Sequence, residues 1–181
     1  RSRGLATHLD GARLFNAAVG LGGDPRANAR EMAELFDSVS VCFSKGLGAP
    51  AGSALVGSAE LIARAKRVRK MAGGTMRQAG ILAAAAMHAL DHHIDRLADD
   101  HARARRLAEG LQGLPGVTVQ MPQTNMVFID LPRERAAAAV AALREQGVLS
   151  TGLYQLRLVT HLDVNDEQID QAIAALRRAL H

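Results

Sequence analysis

The spacing of apolar residues predicts that helices and short strands alternate along the first part of the chain. Leu14, Ala17, Ala18 and Leu21 recur at the spacing of one helix face. Asp24 followed by proline is a typical start for a second short helix. The pattern predicts, in order, helices ending near Gly20 and Leu35, strands over 39–43 and 52–57, and helices over 58–71, 76–93 and 94–111. This alternation is typical of an α/β fold.

The turn at Leu114-Pro115-Gly116 is the best candidate for a domain boundary. Beyond it the pattern predicts strands over 117–121, 126–131, around Val148 and over 156–160, with helices over 132–146 and 165–180. Elements in this order predict a small α+β domain. We therefore expect residues 1–114 to form part of a larger α/β domain and residues 115–181 to form a small C-terminal domain.

The composition is that of a globular chain. With 48% hydrophobic residues among 181, the chain can bury a sizeable core. No apolar run is long enough to cross a membrane. The single cysteine, Cys42, excludes an intrachain disulfide, and its apolar surroundings favour a core position. We therefore expect a cytoplasmic protein with no membrane partner.

The net charge of +4 raises the question of a nucleic acid partner. The densest basic block, over residues 64–70, lies at the end of a predicted helix, where positive charge also offsets the helix dipole. Only 3% of the residues are aromatic, and none accompanies this block, so bases would lack stacking partners. A contact with a phosphate group or with another subunit is favoured over nucleic acid.

The strand predicted over 39–43 ends in Ser44-Lys45 and a turn that contains Gly46 and Gly48. A buried strand of an open α/β sheet delivers the next residues to the sheet edge where such folds bind ligands. The ordinary explanation of a lysine before glycine is a solvated turn. A second sequence motif, upstream of Lys45, favours a catalytic role for this lysine over a solvated turn.

That motif is the segment THLDGAR, in which a short apolar approach ends in Asp10 and Gly11. A carboxylate and a lysine at neighbouring strand ends suit pyridoxal phosphate, because the amine forms a Schiff base and the anion keeps the pyridine nitrogen protonated. The protonated ring then withdraws electrons from a bond that breaks at the substrate Cα. Asp10 and Lys45 therefore predict a pyridoxal phosphate site, although a strand-end turn also explains Asp10.

Four motifs resemble those of the low-specificity L-threonine aldolases, which are pyridoxal phosphate enzymes of fold type I, the aspartate aminotransferase fold. The motifs are HLDGAR, SVSVCFSKGLGAPAGSALVG, RKMAGGTMRQAG and LRLVTHLDV. They stand in the family's order and at similar separations over essentially the whole chain. The resemblance implies an α/β fold, namely the C-terminal half of a fold-type I large domain followed by a small α+β C-terminal domain.

The resemblance also implies that this chain is the C-terminal half of such an enzyme. It opens on Arg1-Ser2-Arg3-Gly4, without an initiating Met and directly before the strand that bears Asp10. Members of the family have a long preceding segment, with a glycine-rich phosphate-binding turn and a histidine that stacks on the cofactor ring. We expect the isolated chain to be incomplete and inactive.

The resemblance assigns roles to residues in both predicted domains. Lys45 matches the Schiff-base lysine, and Asp10 matches the partner of the pyridine nitrogen. Arg13 and Arg157 match two arginines that hold the substrate carboxylate, which a guanidinium group contacts with paired hydrogen bonds. The alternatives are a surface position for Arg13 and a solvent-facing strand position for Arg157. Tyr154, the only tyrosine, precedes Arg157 and is a weaker candidate for the substrate cleft.

Lys70 and Arg77 flank the Gly73-Gly74 loop and resemble family positions that approach the cofactor phosphate from a neighbouring subunit. Ordinary charge at a helix end explains these residues equally well. The match implies a homo-oligomer, either a dimer or a tetramer.

The histidines offer weaker signals. His88 and His92 lie four residues apart on one predicted helix and could form half of a metal site. Without an HExxH motif or cysteine partners, a polar helix face shared with His93 is favoured, and no metal is expected. For His8 and His161, which lie in matched motifs, a buried hydrogen-bonded ring and a catalytic role both stay open.

The implied activity is that of a carbon–carbon lyase that cleaves L-threonine, L-allo-threonine and related β-hydroxy-α-amino acids to glycine and an aldehyde. Its base would be a histidine or a bound water of the preceding segment. Another pyridoxal phosphate lyase or racemase of the same fold would keep Lys45 and Asp10, but the THLDV context of Arg157 favours the aldolase. A non-catalytic fragment that supplies only a dimer scaffold is the third interpretation.

Overall fold

The computed structural model describes residues 2–150 and 155–180 and divides the chain into two compact units. The units are Arg1–Leu97 and Ala98–His181. Tyr154 lies outside the described residues, so its predicted place near the substrate is untested. None of the helices in this described part of the chain has both the length and the apolar character needed to cross a lipid bilayer.

The first unit contains a three-stranded sheet and four helices. The strands, in sheet order, are β1 (His8–Gly11), β2 (Ser38–Cys42) and β3 (Ser53–Gly57). The helices are α1 (Leu14–Gly20), α2 (Pro25–Glu34), α3 (Ala59–Met71) and α4 (Gly80–His92). β1 pairs with β2 in parallel, and β3 pairs with β2 in the antiparallel direction. The α/β class predicted from the sequence is confirmed.

One face of this sheet carries the core of the first unit. Val39 and Val41 of β2 are buried and pack with Leu14 and Ala18 of α1. Successive residues of a strand point to opposite faces of the sheet. Asp10, which pairs in register with Ser40 between the buried valines, therefore lies on the opposite face, and it is exposed.

Two helices of this unit, α2 and α3, begin directly after residues whose side chains cap them. The Asp24 side chain accepts a hydrogen bond from the Arg26 N–H (2.9 Å), and Ser58 Oγ accepts one from the Leu61 N–H (3.2 Å). The prediction that α4 begins at residue 76 is wrong, because Gln78 has a φ of 52°. A positive φ interrupts the helical backbone, so the helix begins only at Gly80.

The second unit combines a three-stranded antiparallel sheet with three helices. The strands, in sheet order, are β4 (Thr118–Gln120), β5 (Met126–Asp130) and β6 (Leu156–Val159). The helices are α5 (Leu97–Gly110), α6 (Arg133–Glu145) and α7 (Asp166–Leu180). The core between them includes Leu107 of α5, Val127 and Ile129 of β5, Leu143 of α6 and Leu176 of α7.

Apart from its first residue, α5 belongs to the second unit, although the sequence predicts this helix on the other side of the boundary. Its residues Leu107 and Leu111 are buried in the core of that unit. Arg103 Nε also lies 2.7 Å from an Asp166 carboxylate oxygen on α7. The chain therefore divides structurally after Leu97, earlier than the predicted turn at 114–116. The assignment of residues 1–114 to a large cofactor-binding domain and of 115–181 to a small C-terminal domain stays a prediction.

The strand predicted around Val148 is absent, since residues 148–150 form no strand. Gly147 has a φ of 76° and ends α6. The Val148 N–H donates to the Leu143 carbonyl (2.9 Å), and the Gly147 N–H donates to the Arg144 carbonyl (3.1 Å). These two hydrogen bonds satisfy carbonyl groups in the last turn of α6. They also occupy the Val148 N–H group, which a strand at this position would need for pairing. The Val148 side chain still packs against the core of the unit.

The start of α7 is fixed by a reciprocal cap. The Asn165 side chain accepts from the Gln168 N–H, and the Gln168 side chain accepts from the Asn165 N–H, both at 2.9 Å. Each contact satisfies a backbone donor that has no partner within the helix. The predicted start of this helix at residue 165 therefore agrees with the structure to within one residue.

His101 on α5 is partly buried, and its surroundings shift its pKa. Burial lowers the pKa of His101, and the neighbouring Asp100 carboxylate opposes this effect. The neutral ring is therefore the form that the fold favours near neutral pH.

Candidate active site

Asp10 lies next to the C-terminal end of β1, on the exposed face of the first sheet. Its Oδ1 atom accepts a hydrogen bond from the Ala12 N–H at 3.1 Å. This contact is the strand-end turn considered from the sequence. Asp10 makes no ion pair within residues 2–150 and 155–180, so no cation from this described region neutralises the carboxylate.

Lys45 is exposed and lies three residues beyond β2. Because β1 and β2 run in parallel, their C-terminal ends reach the same edge of the sheet, and Asp10 and Lys45 both lie toward that edge. The loop turns back on itself through a hydrogen bond from the Gly48 N–H to the Lys45 carbonyl (2.8 Å). It is closed by a second bond, from the Ala49 N–H to the Phe43 carbonyl (3.0 Å). The lysine therefore stands on a short, internally bonded loop.

Gly46 lets this loop approach the side chain of Asn16, which is almost fully buried on α1. A Cβ atom at Gly46 would lie 2.9 Å from Asn16 Oδ1 and 2.9 Å from a methyl carbon of Leu97. Both distances are shorter than real Cβ contacts. The glycine after Lys45 is therefore required by close packing.

Arg13 and Lys45 line the same narrow crevice, together with Asn16, Cys42 and Gly46. Arg13 immediately precedes α1 and is half-buried. Cys42 is only partly buried, so it does not occupy the core position that its apolar surroundings favoured. The crevice is too narrow to hold a ligand, so it shows only that Arg13 lies beside the Lys45 loop.

Arg157 lies on β6 in the second unit and is exposed, whereas Leu156 and Leu158 on either side are buried. The alternation confirms that Arg157 occupies the solvent-facing side of its strand. Its cross-strand neighbour in register is Phe128. Its role with a substrate stays a prediction.

Lys70 and Arg77 lie in an exposed segment that runs from the end of α3 to the start of α4. Every residue from 66 to 81 is exposed. Gly73 has a φ of 76°, a backbone conformation that glycine adopts readily, and it forms the turn between the two basic residues. The segment also exposes large apolar side chains, which are Val68, Met71, Met76 and Ile81. Its surface is therefore both basic and apolar.

Most of the histidines contact other parts of the chain than the region of Asp10, Arg13 and Lys45. His8 is exposed, and its Nδ1 lies 2.8 Å from Ser38 Oγ. His161 is partly buried, and its Nδ1 accepts a hydrogen bond from the Asp163 N–H (3.3 Å). His88 and His92 are exposed, with ring centroids 4.5 Å apart. Within residues 2–150 and 155–180, no group of three or more potential ligands is arranged to hold a metal ion.

His93 is the contact that sequence reasoning missed, because it was grouped with a polar helix face. It directly follows α4 and is half-buried, and its Nδ1 lies 2.6 Å from the carbonyl oxygen of Leu47. A carbonyl can only accept, so Nδ1 carries the proton. In the sequence, the one sign of this contact is that His93 lies just after the last turn of a helix. That position does not indicate which group the His93 ring contacts.

The β-eliminating lyase family matches residues 1–134 of the chain. The chain is 46% identical over 180 residues to the low specificity L-threonine aldolase of Escherichia coli strain K12, covering 99% of this chain and 53% of that protein. It is 39% identical over 187 residues to the low-specificity L-threonine aldolase 1 of Arabidopsis thaliana, covering 99% and 51%. The chain thus spans about half the length of the curated relatives it matches.

Solved structures give the same likeness at the level of the fold. The threonine aldolase of Leishmania major matches with a TM-score of 0.75 and 22% identity, covering 99% of this chain and 53% of that one. A serine palmitoyltransferase of Sphingomonas wittichii matches with a TM-score of 0.65 and 22% identity, covering 87% and 43%. At these identities the likeness shows a shared fold.

The packing of Gly46 leads to a first prediction. Gly46→Ala should lower the free energy of unfolding by about 1–3 kcal/mol, because the new methyl group overlaps Asn16 and Leu97. The matched control is Gly80→Ala, where a Cβ meets nothing within 4 Å and the helix should be unharmed or slightly stabilised. Urea denaturation of both variants measures the difference. Equal stabilities would contradict the close packing at Gly46.

Proposed function

This chain belongs to the β-eliminating lyase family, and we propose that it forms the lysine-bearing half of an aldolase that depends on pyridoxal phosphate. The enzyme would cleave L-threonine, L-allo-threonine and related β-hydroxy-α-amino acids to glycine and an aldehyde. The observation that carries the proposal is the position of Lys45 and Asp10 toward one sheet edge, with Arg13 in the crevice of Lys45. The similarity to threonine aldolases over nearly the whole chain supports this substrate class.

The residues at this edge fit pyridoxal phosphate. Lys45 offers an exposed primary amine for the aldehyde, and Asp10 offers a carboxylate without an ion-pair partner in the described residues. When bound, the cofactor supplies an electron sink for the bond that breaks at the substrate Cα. The anion of Asp10 would hold a proton on the pyridine nitrogen and so maintain that sink.

The two arginines would orient the substrate. Arg13 lies beside the Lys45 loop and matches an arginine that holds the substrate carboxylate in the aldolases, so its guanidinium group would hold the carboxylate of the amino acid. Arg157 would supply a second contact to that carboxylate from the second unit. Two such contacts fix the direction of the Cα–Cβ bond, which decides whether that bond is the one broken.

Lys70 and Arg77 would provide positive charge for the cofactor phosphate across a subunit contact in a homo-oligomer. The support is the exposed surface over 66–81, which combines basic groups with exposed Met71 and Ile81. Apolar patches of this kind are typical of interfaces. A cytoplasmic location, and a dimer or tetramer as the assembly, stay predictions.

Two other functions are alternatives to this proposal. Another pyridoxal phosphate lyase or racemase of this fold would use Lys45 and Asp10 in the same way, and the aldolase relatives favour cleavage over these reactions. A non-catalytic role as a dimer scaffold is the third interpretation, and cofactor labelling at Lys45 separates it from the other two.

The second prediction tests the cofactor lysine. In a protein completed to the length of its relatives, borohydride reduction with pyridoxal phosphate should attach the pyridoxyl group to Lys45. The chain contains three lysines, Lys45, Lys66 and Lys70, so peptide mapping separates the possible sites. Lys66→Ala is the matched control and should retain the label. A label on Lys66 or Lys70 in place of Lys45 would refute the assignment.

The third prediction concerns the carboxylate contact from the second unit. In the completed enzyme, Arg157→Ala should lower kcat/KM for threonine by about 100-fold or more, because the substrate loses its orientation. The absorbance of the bound cofactor should be unchanged. Exposed Arg105 on α5 serves as the control, and Arg105→Ala should have normal kinetics. Normal turnover by Arg157→Ala would exclude the contact.

The fourth prediction tests whether sites are shared between subunits. Lys45→Ala and Arg77→Ala should each be inactive, and mixing them should restore part of the activity. Some mixed dimers then contain one site with both groups intact. Arg64→Ala, an exposed variant on α3 that lies outside the surface over 66–81, should be active by itself. If subunit exchange is demonstrated and no activity returns, Arg77 acts within its own subunit.

A further inference from the structure

The loop that carries Lys45 is packed against the C-terminal end of α4. Leu47 and Ala49 of the loop are 4% and 8% exposed. They share a core cluster with Ala89 of α4 and with Ile94 and Leu97, which follow that helix. The lysine side chain is exposed, but the backbone two residues beyond it is fixed in this core.

A hydrogen bond also crosses this packed surface. The Nδ1–H group of His93 donates to the Leu47 carbonyl at 2.6 Å, between residues 46 positions apart in the chain. Apolar packing restrains the loop without selecting one orientation, because dispersion and burial are not directional. A hydrogen bond to one carbonyl does select an orientation.

The end of α4 is itself held in place. The Arg26 guanidinium of α2 donates to the Leu90 carbonyl in the last turn of α4 (3.1 Å). The His93 ring meets the His88 ring edge to face, with centroids 5.1 Å apart. His93 therefore projects from a supported helix end, as a residue that positions another group must.

We propose that His93 is a positioning residue for Lys45. Its Nδ1–H group fixes the Leu47 carbonyl, and the turn bond from the Gly48 N–H to the Lys45 carbonyl passes this restraint to the lysine. The orientation of Lys45 at the sheet edge then depends on His93. The importance of this orientation for catalysis rests on the proposed function, whereas the restraint of the loop does not.

The test compares two side chains of similar size, one with a donor group and one without. His93→Leu removes the donor, and His93→Asn retains an N–H group that can reach a carbonyl. His92→Leu is the matched control, because His92 also contacts the His88 ring but its ring is not bonded to Leu47. If His93→Leu fails to fold, His93→Ala replaces it in the comparison.

Two measurements on the cofactor-free chain report how firmly the Lys45 loop is held. Amide hydrogen exchange at Gly48 and Ala49 should be about tenfold or more faster in His93→Leu, since these groups form the bonds of the loop. The rate at which an amine reagent labels Lys45, relative to Lys66 and Lys70, should also change. His92→Leu should match the unmodified protein in both measurements, and His93→Asn should lie closer to it than His93→Leu.

A third measurement uses the completed holoenzyme. His93→Leu should lower kcat with little effect on KM, and His93→Asn should recover part of the loss. If exchange accelerates equally throughout the first unit in His93→Leu, the role is general stabilisation and the proposal is overturned. It is also overturned if His92→Leu and His93→Leu behave alike. Failure of pyridoxyl labelling at Lys45 would refute the proposed function, whereas the loop measurements would still decide the role of His93.

Discussion

The parallel pairing of β1 with β2 is the constraint on which the candidate site depends. In a parallel pair both C-terminal ends reach one edge of the sheet, so the segments that bear Asp10 and Lys45 meet there although they lie far apart in the sequence. A parallel pair also requires a crossover connection, which α1 and α2 supply. These helices cover one face of the sheet and leave Asp10 on the other. One pairing therefore determines both the core of the unit and the position of its carboxylate.

The lysine loop shows how a rigid backbone can carry an exposed side chain. Gly46 fits against the buried Asn16, and Leu47 is held by the core and by His93. Lys45 itself remains open to solvent. A group that reacts with a small molecule needs this combination, because precise placement requires a fixed backbone and access requires an uncovered side chain.

α4 has two different environments along its length. Its N-terminal end follows an exposed, basic and apolar segment that includes Arg77, and Ile81 in its first turn is also exposed. Its C-terminal end packs under the lysine loop through Ala89 and is held by Arg26. The same helix thus connects the exposed basic and apolar segment with the backbone that supports Lys45.

The sequence by itself determined the features that depend on neighbouring residues. The helix start at Asp24, the strand over 39–43 and the places of Asp10 and Lys45 near the ends of neighbouring strands were predicted correctly, and the family resemblance was confirmed. These signals are local, because periodicity, caps and turns act over a few residues.

Only the tertiary structure decided the contacts between distant segments. Val148 caps α6 with the N–H group that a strand would have used, and α5 joins the second unit through core and ion-pair contacts with elements that follow it. His93 found its partner 46 residues away. Local patterns leave such choices open, because each depends on which apolar face or backbone group the rest of the fold brings within reach.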